Sequence, residues 1–175
     1  MRQRTVKRPR HEQGTPSGTA LSETSLVLDA VRSIVQALRS AQRRSETQSG
    51  VSGAQLFVLQ RLSERPAASL GELAARTFTH QSSVSVVVKR LVARGLVTRA
   101  QAPDDNRRIE LSLTPAGRAV LRRSPQAVQF RMIEALERFS AADRRTLARL
   151  LTRLVEAMGA GKAAPSMFFE EGSSD

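Results

Sequence analysis

The run from Ser69 to Gly95, SLGELAARTFTHQSSVSVVVKRLVARG, constrains the fold more than any other stretch. Ser69-Leu70-Gly71-Glu72 fits a capping box, in which the serine caps a helix and the glutamate reaches back. The helix it opens is short, to about Arg76, and a turn follows at Thr77-Phe78-Thr79. A second helix is predicted from about His80 to Arg94, stopped by Gly95, a C-terminal signal. Val84, Val87, Val88 and Leu91 are spaced i, i+3, i+4, i+7 and make one apolar face. Ser82, Ser85, Val86 and Lys89 repeat that spacing on another side and make a small, polar face ending in a cation. Short helix, tight turn and two-faced second helix form a helix-turn-helix pattern.

A charged hairpin follows. Leu96–Arg99 reads as a strand, and APDDNRRIELSLTPAG (residues 102–117) as a polar turn and a second strand. Ile109, Leu111 and Leu113 point one way, Glu110 and Ser112 the other. Two arginines, Arg107 and Arg108, are expected at the tip. Thr114 and Pro115 then suit the cap and first position of a helix. Pro125 should kink that helix near 122–125, because it lacks an N–H and clashes with the preceding turn. Ser140 starts a last helix striped by Leu147, Leu150, Leu151, Leu154 and Met158.

Upstream, apolar positions 27, 30, 31, 34, 35, 38 and 41 mark a helix ended by Ser49-Gly50. A further helix over about 52–64 sets Gln55, Val58, Leu59 and Leu62 on one face and Phe57 opposite, as in a helix sandwiched between layers. The fold class is mainly α with one β-hairpin.

The net charge is +12. Residues 1–11 contribute five cations without an acid, residues 160–175 carry −2, and +9 remains between them. A body this basic points to a polyanion, with nucleic acid favoured over membrane. No apolar run is long enough to span a bilayer, and no apolar leader opens the chain, so a cytoplasmic location is expected. There are no cysteines and two histidines, His11 and His80. Thiol chemistry is excluded, and a metal site or an enzyme's catalytic set has little to build on. No cofactor is expected.

With its hairpin PDDNRRIELSLTPAG, the segment SLGELAARTFTHQSSVSVVVKRLVARGLVTR resembles regulators of the multiple-antibiotic-resistance regulator (MarR) family, and the flanking helices extend the resemblance over about 22–158. The resemblance implies a winged helix-turn-helix lobe plus a dimerisation lobe built from terminal helices. It implies a dimerisation helix over 21–50, the DNA-binding lobe over 51–114 and dimerisation helices over 115–159, while composition without periodicity marks 1–20 as a disordered basic tail and 160–175 as a loose tail. Phe168 and Phe169 stand out in that last tail, to dock or to lie exposed.

The implied function is a homodimeric transcriptional regulator, most often a repressor, on palindromic double-stranded DNA, modulated by a small anionic or aromatic effector. The expected DNA-binding residues of the recognition helix are Gln81, Ser82, Ser83, Ser85, Val86, Lys89 and Arg90, with His80 at its start as a cap-adjacent or phosphate-contacting residue. Arg107 would enter the minor groove, Arg108 would reach a phosphate, and Asp105 would brace the wing. Phe57 is the candidate effector-pocket wall or, alternatively, a packing residue between lobes. Val86 and Lys89 stand where the family often carries Arg and Asp, so operator preference does not transfer. An architectural DNA-binding protein without an effector is the competing class.

Overall fold

The computed structural model describes residues 18–102, 105–160 and 167–168, with side chains described over 23–101, 110–160 and 167–168. Its elements are α1 (Gly18–Ser49), α2 (Gly53–Glu64), α3 (Leu70–Thr77), α4 (Gln81–Ala93), β1 (Val97–Ala102), β2 (Asp105–Leu113), α5 (Pro115–Arg122), α6 (Val128–Glu137) and α7 (Ala141–Ala157). The mainly helical fold with one hairpin is as expected. Helix α1 begins at Gly18, inside the stretch whose composition predicts a tail. The rest of that tail, residues 1–17, lies outside the described residues. The chain divides into two compact units, the first ending at Ala37 and the second starting at Leu38.

In the first unit, Leu26, Val27, Val31 and Ile34 of α1 are exposed. The second unit holds the core, and α2 is its axis. Residues from Gly53 to Leu59, together with Leu62, are all buried, so α2 is covered on every side. Its start is fixed by a reciprocal box: Gln55 N–H donates to Ser52 Oγ at 3.3 Å, and Ser52 N–H donates to Gln55 Oε1 at 3.2 Å. Around α2 pack Leu73 and Ala74 of α3, Val84, Val87, Val88 and Leu91 of α4, and Leu111 of β2. The apolar stripe that defines α4 in sequence is its buried face.

Helix α4 ends in a Schellman motif. Gly95 sits at φ +67°, its N–H bonds Val92 O at 2.9 Å, and Leu96 N–H bonds Leu91 O at 2.9 Å. The chain leaves directly into β1, which pairs antiparallel with β2 from Val97↔Leu113 to Gln101↔Ile109. Ala67 and Leu111 exchange both backbone hydrogen bonds, at 3.0 and 2.8 Å, and so tie the hairpin base to the segment between α2 and α3.

Two expectations need correction. First, β1 runs to Ala102 and β2 starts at Asp105. Arg107 and Arg108 therefore lie within a strand, past the tip, where the register shifts between Gln101↔Ile109 and Ala102↔Asp105. Polar composition marked these residues as turn. An isolated two-stranded ribbon has no core to fill beyond its base, so its strands need no apolar alternation there. Second, Pro125 does more than kink a helix: residues 123–127 are non-helical and separate α5 from α6. The break is stabilised from α2. Gln60 Nε2 donates to Pro125 O at 2.8 Å, and Ala127 N–H donates to Gln60 Oε1 at 2.9 Å, which supplies partners where the helical ladder stops.

Candidate nucleic-acid interface

The site is built from α3, its turn and α4. Ser69 Oγ accepts from Glu72 N–H at 3.0 Å, and Glu72 Oε2 accepts from Ala68 N–H at 2.8 Å, one residue further back than the box predicts. Helix α3 closes on Phe78, a left-handed residue at φ 53°, with Thr79 N–H bonded to Ala74 O at 3.1 Å. Glycine usually takes that position. Here it is a bulky aromatic, 72% exposed.

Arg76 locks α3 onto α2. Its guanidinium donates to the carbonyls of Arg61 and Pro66 and pairs with Glu72 at 3.8 Å and Glu64 at 3.9 Å. Burial, then the nearby Arg65 charge, pulls its pKa below the ordinary guanidinium value, while Glu72 and Glu64 oppose that shift. It remains a cation at physiological pH. At the other end of α4, Arg94 donates to Gln55 Oε1 at 2.9 Å and to Gly50 O at 2.8 Å. The two helices of the motif are thus each pinned to the α2 region by an arginine, a role that spacing alone did not reveal.

Gln81, Ser82 and Lys89 are exposed, and Ser85, Val86 and Arg90 are partly buried. Ser83 does not join them. It is 8% exposed, because it shares the i, i+4, i+8 row of Val87 and Leu91 and turns with them into the core. His80 is the N-cap residue of α4, yet its ring makes no capping bond. Its backbone oxygen accepts from Val84 N–H at 3.1 Å, and its side chain is exposed. The side chains of Asp105, Arg107 and Arg108 lie outside the described residues.

A cleft of about 640 Å³ gathers part of this face. Gln81, Ser85 and Lys89 of α4 line it with Ser69 and Gly71 at the start of α3 and Arg99 of β1. Arg99 was not singled out in sequence, where it reads as an ordinary polar strand residue. Its register opposite Leu111, at the tied base of the wing, brings it to the cleft. Two cations and three small or amide side chains around a groove suit a phosphate backbone and base edges. Among the described residues, no group of three or more histidines, aspartates or glutamates could hold a metal ion, and no helix is long and apolar enough to cross a membrane.

A helix-turn-helix carrying a two-stranded wing and a basic, small-residue outer face defines a winged-helix DNA-binding protein. A MarR family model matches residues 49–108. The chain is 33% identical over 152 residues to a Thauera aromatica protein described as a transcriptional regulatory protein for the hcr operon, covering 83% of this chain and 92% of that protein. The chain belongs to the MarR family and is a DNA-binding transcriptional regulator, not an enzyme. It is also 33% identical over 97 residues to the helix-turn-helix transcriptional repressor MdtR of Bacillus subtilis, covering 55% of this chain and 61% of MdtR. Among solved structures, the MarR family regulator Sco3205 of Streptomyces coelicolor, in complex with DNA, shares the fold at TM-score 0.52 and 24% identity, covering 83% of this chain and 97% of that one.

Proposed function

We propose that this chain is a homodimeric repressor that binds palindromic operators through Gln81, Ser82, Ser85, Val86 and Lys89 and responds to a small-molecule effector. The observation that carries the DNA reading is the two-sidedness of α4. Its valine stripe is buried while Ser82, Ser85 and Lys89 remain accessible, the last two lining one cleft with Arg99. Small side chains allow close approach to a major groove, and Lys89 suits guanine or phosphate. Arg107 and Arg108 remain the candidates for minor-groove and phosphate contacts from the wing. Exposed apolar residues on α1 and on α7 support dimerisation. The repressor reading is supported by the likeness to MdtR.

Genome-wide footprinting of the full chain tests this. Protection of one or a few palindromes is expected, whereas broad coating of DNA would favour the architectural reading. On a recovered operator, Lys89→Ala should lose about 1–3 kcal/mol of affinity and relax preference at specific positions. A uniform loss on operator and random DNA would reduce Lys89 to a phosphate contact.

A further inference from the structure

Met167 and Phe168, which composition places in a loose tail, are held against the body of the protein. Helix α7 ends at Ala157, Gly159 turns the chain at φ +71°, and no residue of α7 is buried. Met167 nevertheless lies 6% exposed in the core cluster around α2. Phe168 O accepts from Gln129 Nε2 at 3.4 Å, and the Phe168 side chain is half exposed. The packing of α7 does not bring these residues there, so their own contacts hold them. Both line a cavity of about 440 Å³ together with Phe57 and His80. Phe57 is 2% exposed, with its ring edge-on to Phe130 at 5.0 Å, and is thus a packing residue that also closes one wall. His80 is the N-cap residue of α4, so the C-terminal segment is anchored beside the start of the DNA-facing helix.

The sequence beyond this anchor is acidic. Residues 169–175 hold Glu170, Glu171 and Asp175 and no cation. The neighbouring cleft is basic. Gln81, the residue after His80, lines the 640 Å³ cleft with Lys89 and Arg99. No aspartate or glutamate lines that cleft, and neither cation is in an ion pair among the described residues. Residues 169–175 reach at most about 23–25 Å beyond Phe168 when extended, whereas Lys89 lies about 12 Å along α4 from Gln81. A tether of this length holds the acids at a local concentration on the order of millimolar, enough for contacts too weak to form between separate molecules.

We propose that Glu170, Glu171 and Asp175 dock on the basic cleft of their own chain, in the place of DNA phosphates, with Met167 and Phe168 as the anchor. Carboxylates satisfy the same lysine and arginine that a phosphate backbone would. DNA must displace them, so operator and random DNA alike bind more weakly than the bare cleft would allow. A site must then clear a higher threshold of affinity to be occupied. Breaking these ion pairs takes ions back up from solution while DNA releases its own, which flattens the salt dependence. The inference rests on the DNA-facing reading of α4 above and gives that face an occupant in the free protein.

Full-chain variants titrated with random duplex DNA test this, with salt as the variable. The triple change Glu170→Gln, Glu171→Gln, Asp175→Asn should raise affinity about three- to tenfold at about 50 mM salt, lose that gain near about 300 mM, and steepen the salt slope by about one to two. Met167→Ala keeps every charge but loosens the anchor. It should give part of the same gain with the circular dichroism spectrum unchanged, Phe168→Ala should do likewise, and Met167→Leu should restore native affinity. Because the chain has no cysteine, Ser174→Cys accepts a single spin label. The label should broaden the amide resonances of α4 from Gln81 to Lys89 at low salt, and do so less once the acids are neutralised or DNA is added. Native affinity of the triple variant at low salt, a gain that persists unchanged at high salt, or broadening indifferent to the acid-to-amide changes overturns the docking. Broadening confined to the basic residues 2–10 would pair the acids with the other tail and overturn it too. Native affinity in both Met167→Ala and Phe168→Ala overturns the anchor. If Lys89→Ala binds DNA as the native chain does, the DNA-facing reading of α4 fails, and the spin label still decides the tail contact by itself.

Discussion

Gly117 explains at atomic scale why a Thr-Pro-Ala-Gly sequence follows the wing. Thr114 Oγ1 accepts from Gly117 N–H at 3.0 Å and donates to Gly95 O at 2.7 Å, so one hydroxyl joins the start of α5 to the end of α4. A Cβ on Gly117 would lie 2.1 Å from Leu96 O, a backbone atom that cannot swing away. Only a hydrogen fits. Gly117→Ala must push α5 off the loop between α4 and β1, and overpacking of this kind costs about 1–3 kcal/mol. Urea unfolding should show that loss with an unchanged slope. A variant as stable as the native chain would mean that α5 is free to shift, and the close approach would lose its structural weight.

At the scale of elements, the junction between α5 and α6 depends on a side chain from elsewhere in the chain. Gln60 is the partner of both Pro125 O and Ala127 N–H. Gln60→Ala leaves both partly buried groups without their protein partner and should cost about 1–3 kcal/mol. Faster amide exchange should appear in the first turn of α6 before α2 is affected. Exchange that rises uniformly through α2 and α6 would contradict a local role. This contact also shows where sequence reading stops. Helix starts were legible because caps are local: Ser52, Ser69, Thr114 and Ser140 all accept from a backbone N–H three residues on. The valine stripe of α4 was legible because period alone sorts its two faces. Ser83 was misassigned because a serine gives no polarity signal against its row. Gln60, Arg76, Arg94 and Met167 were invisible in these roles because their partners lie on other elements, and no spacing encodes that.

At the scale of the molecule, the unfinished business is apolar surface. Helix α7 has no buried residue at all, although Leu150, Leu151, Leu154 and Val155 give it a continuous apolar stripe. Its N-terminus is well made, with Ser140 Oγ accepting from Asp143 N–H at 3.1 Å, so the helix is not a frayed end. A capped, amphipathic helix that leaves its stripe in water gains little from folding unless something covers it, because helical stability in proteins comes mostly from packing of that face. Leu26, Val27, Val31 and Ile34 of α1 present the same situation in the other unit. A second copy of the chain carries the same stripes and can bury them by two-fold symmetry. Placing a charge in that contact should then act on assembly before it acts on the core, since Leu151 is 48% exposed in the single chain and is not among the buried residues of the α2-centred cluster. Leu151→Glu is expected to give monomers, or a dimer weakened by several kcal/mol, the order expected when a charge is buried without a partner. The core's unfolding signal should be retained, and operator affinity should fall because one lobe alone would read only half of the proposed palindrome. Sedimentation equilibrium and operator titration on the same sample decide it: a Leu151→Glu dimer of native mass and native affinity would place the subunit contact elsewhere and leave the stripe of α7 unexplained.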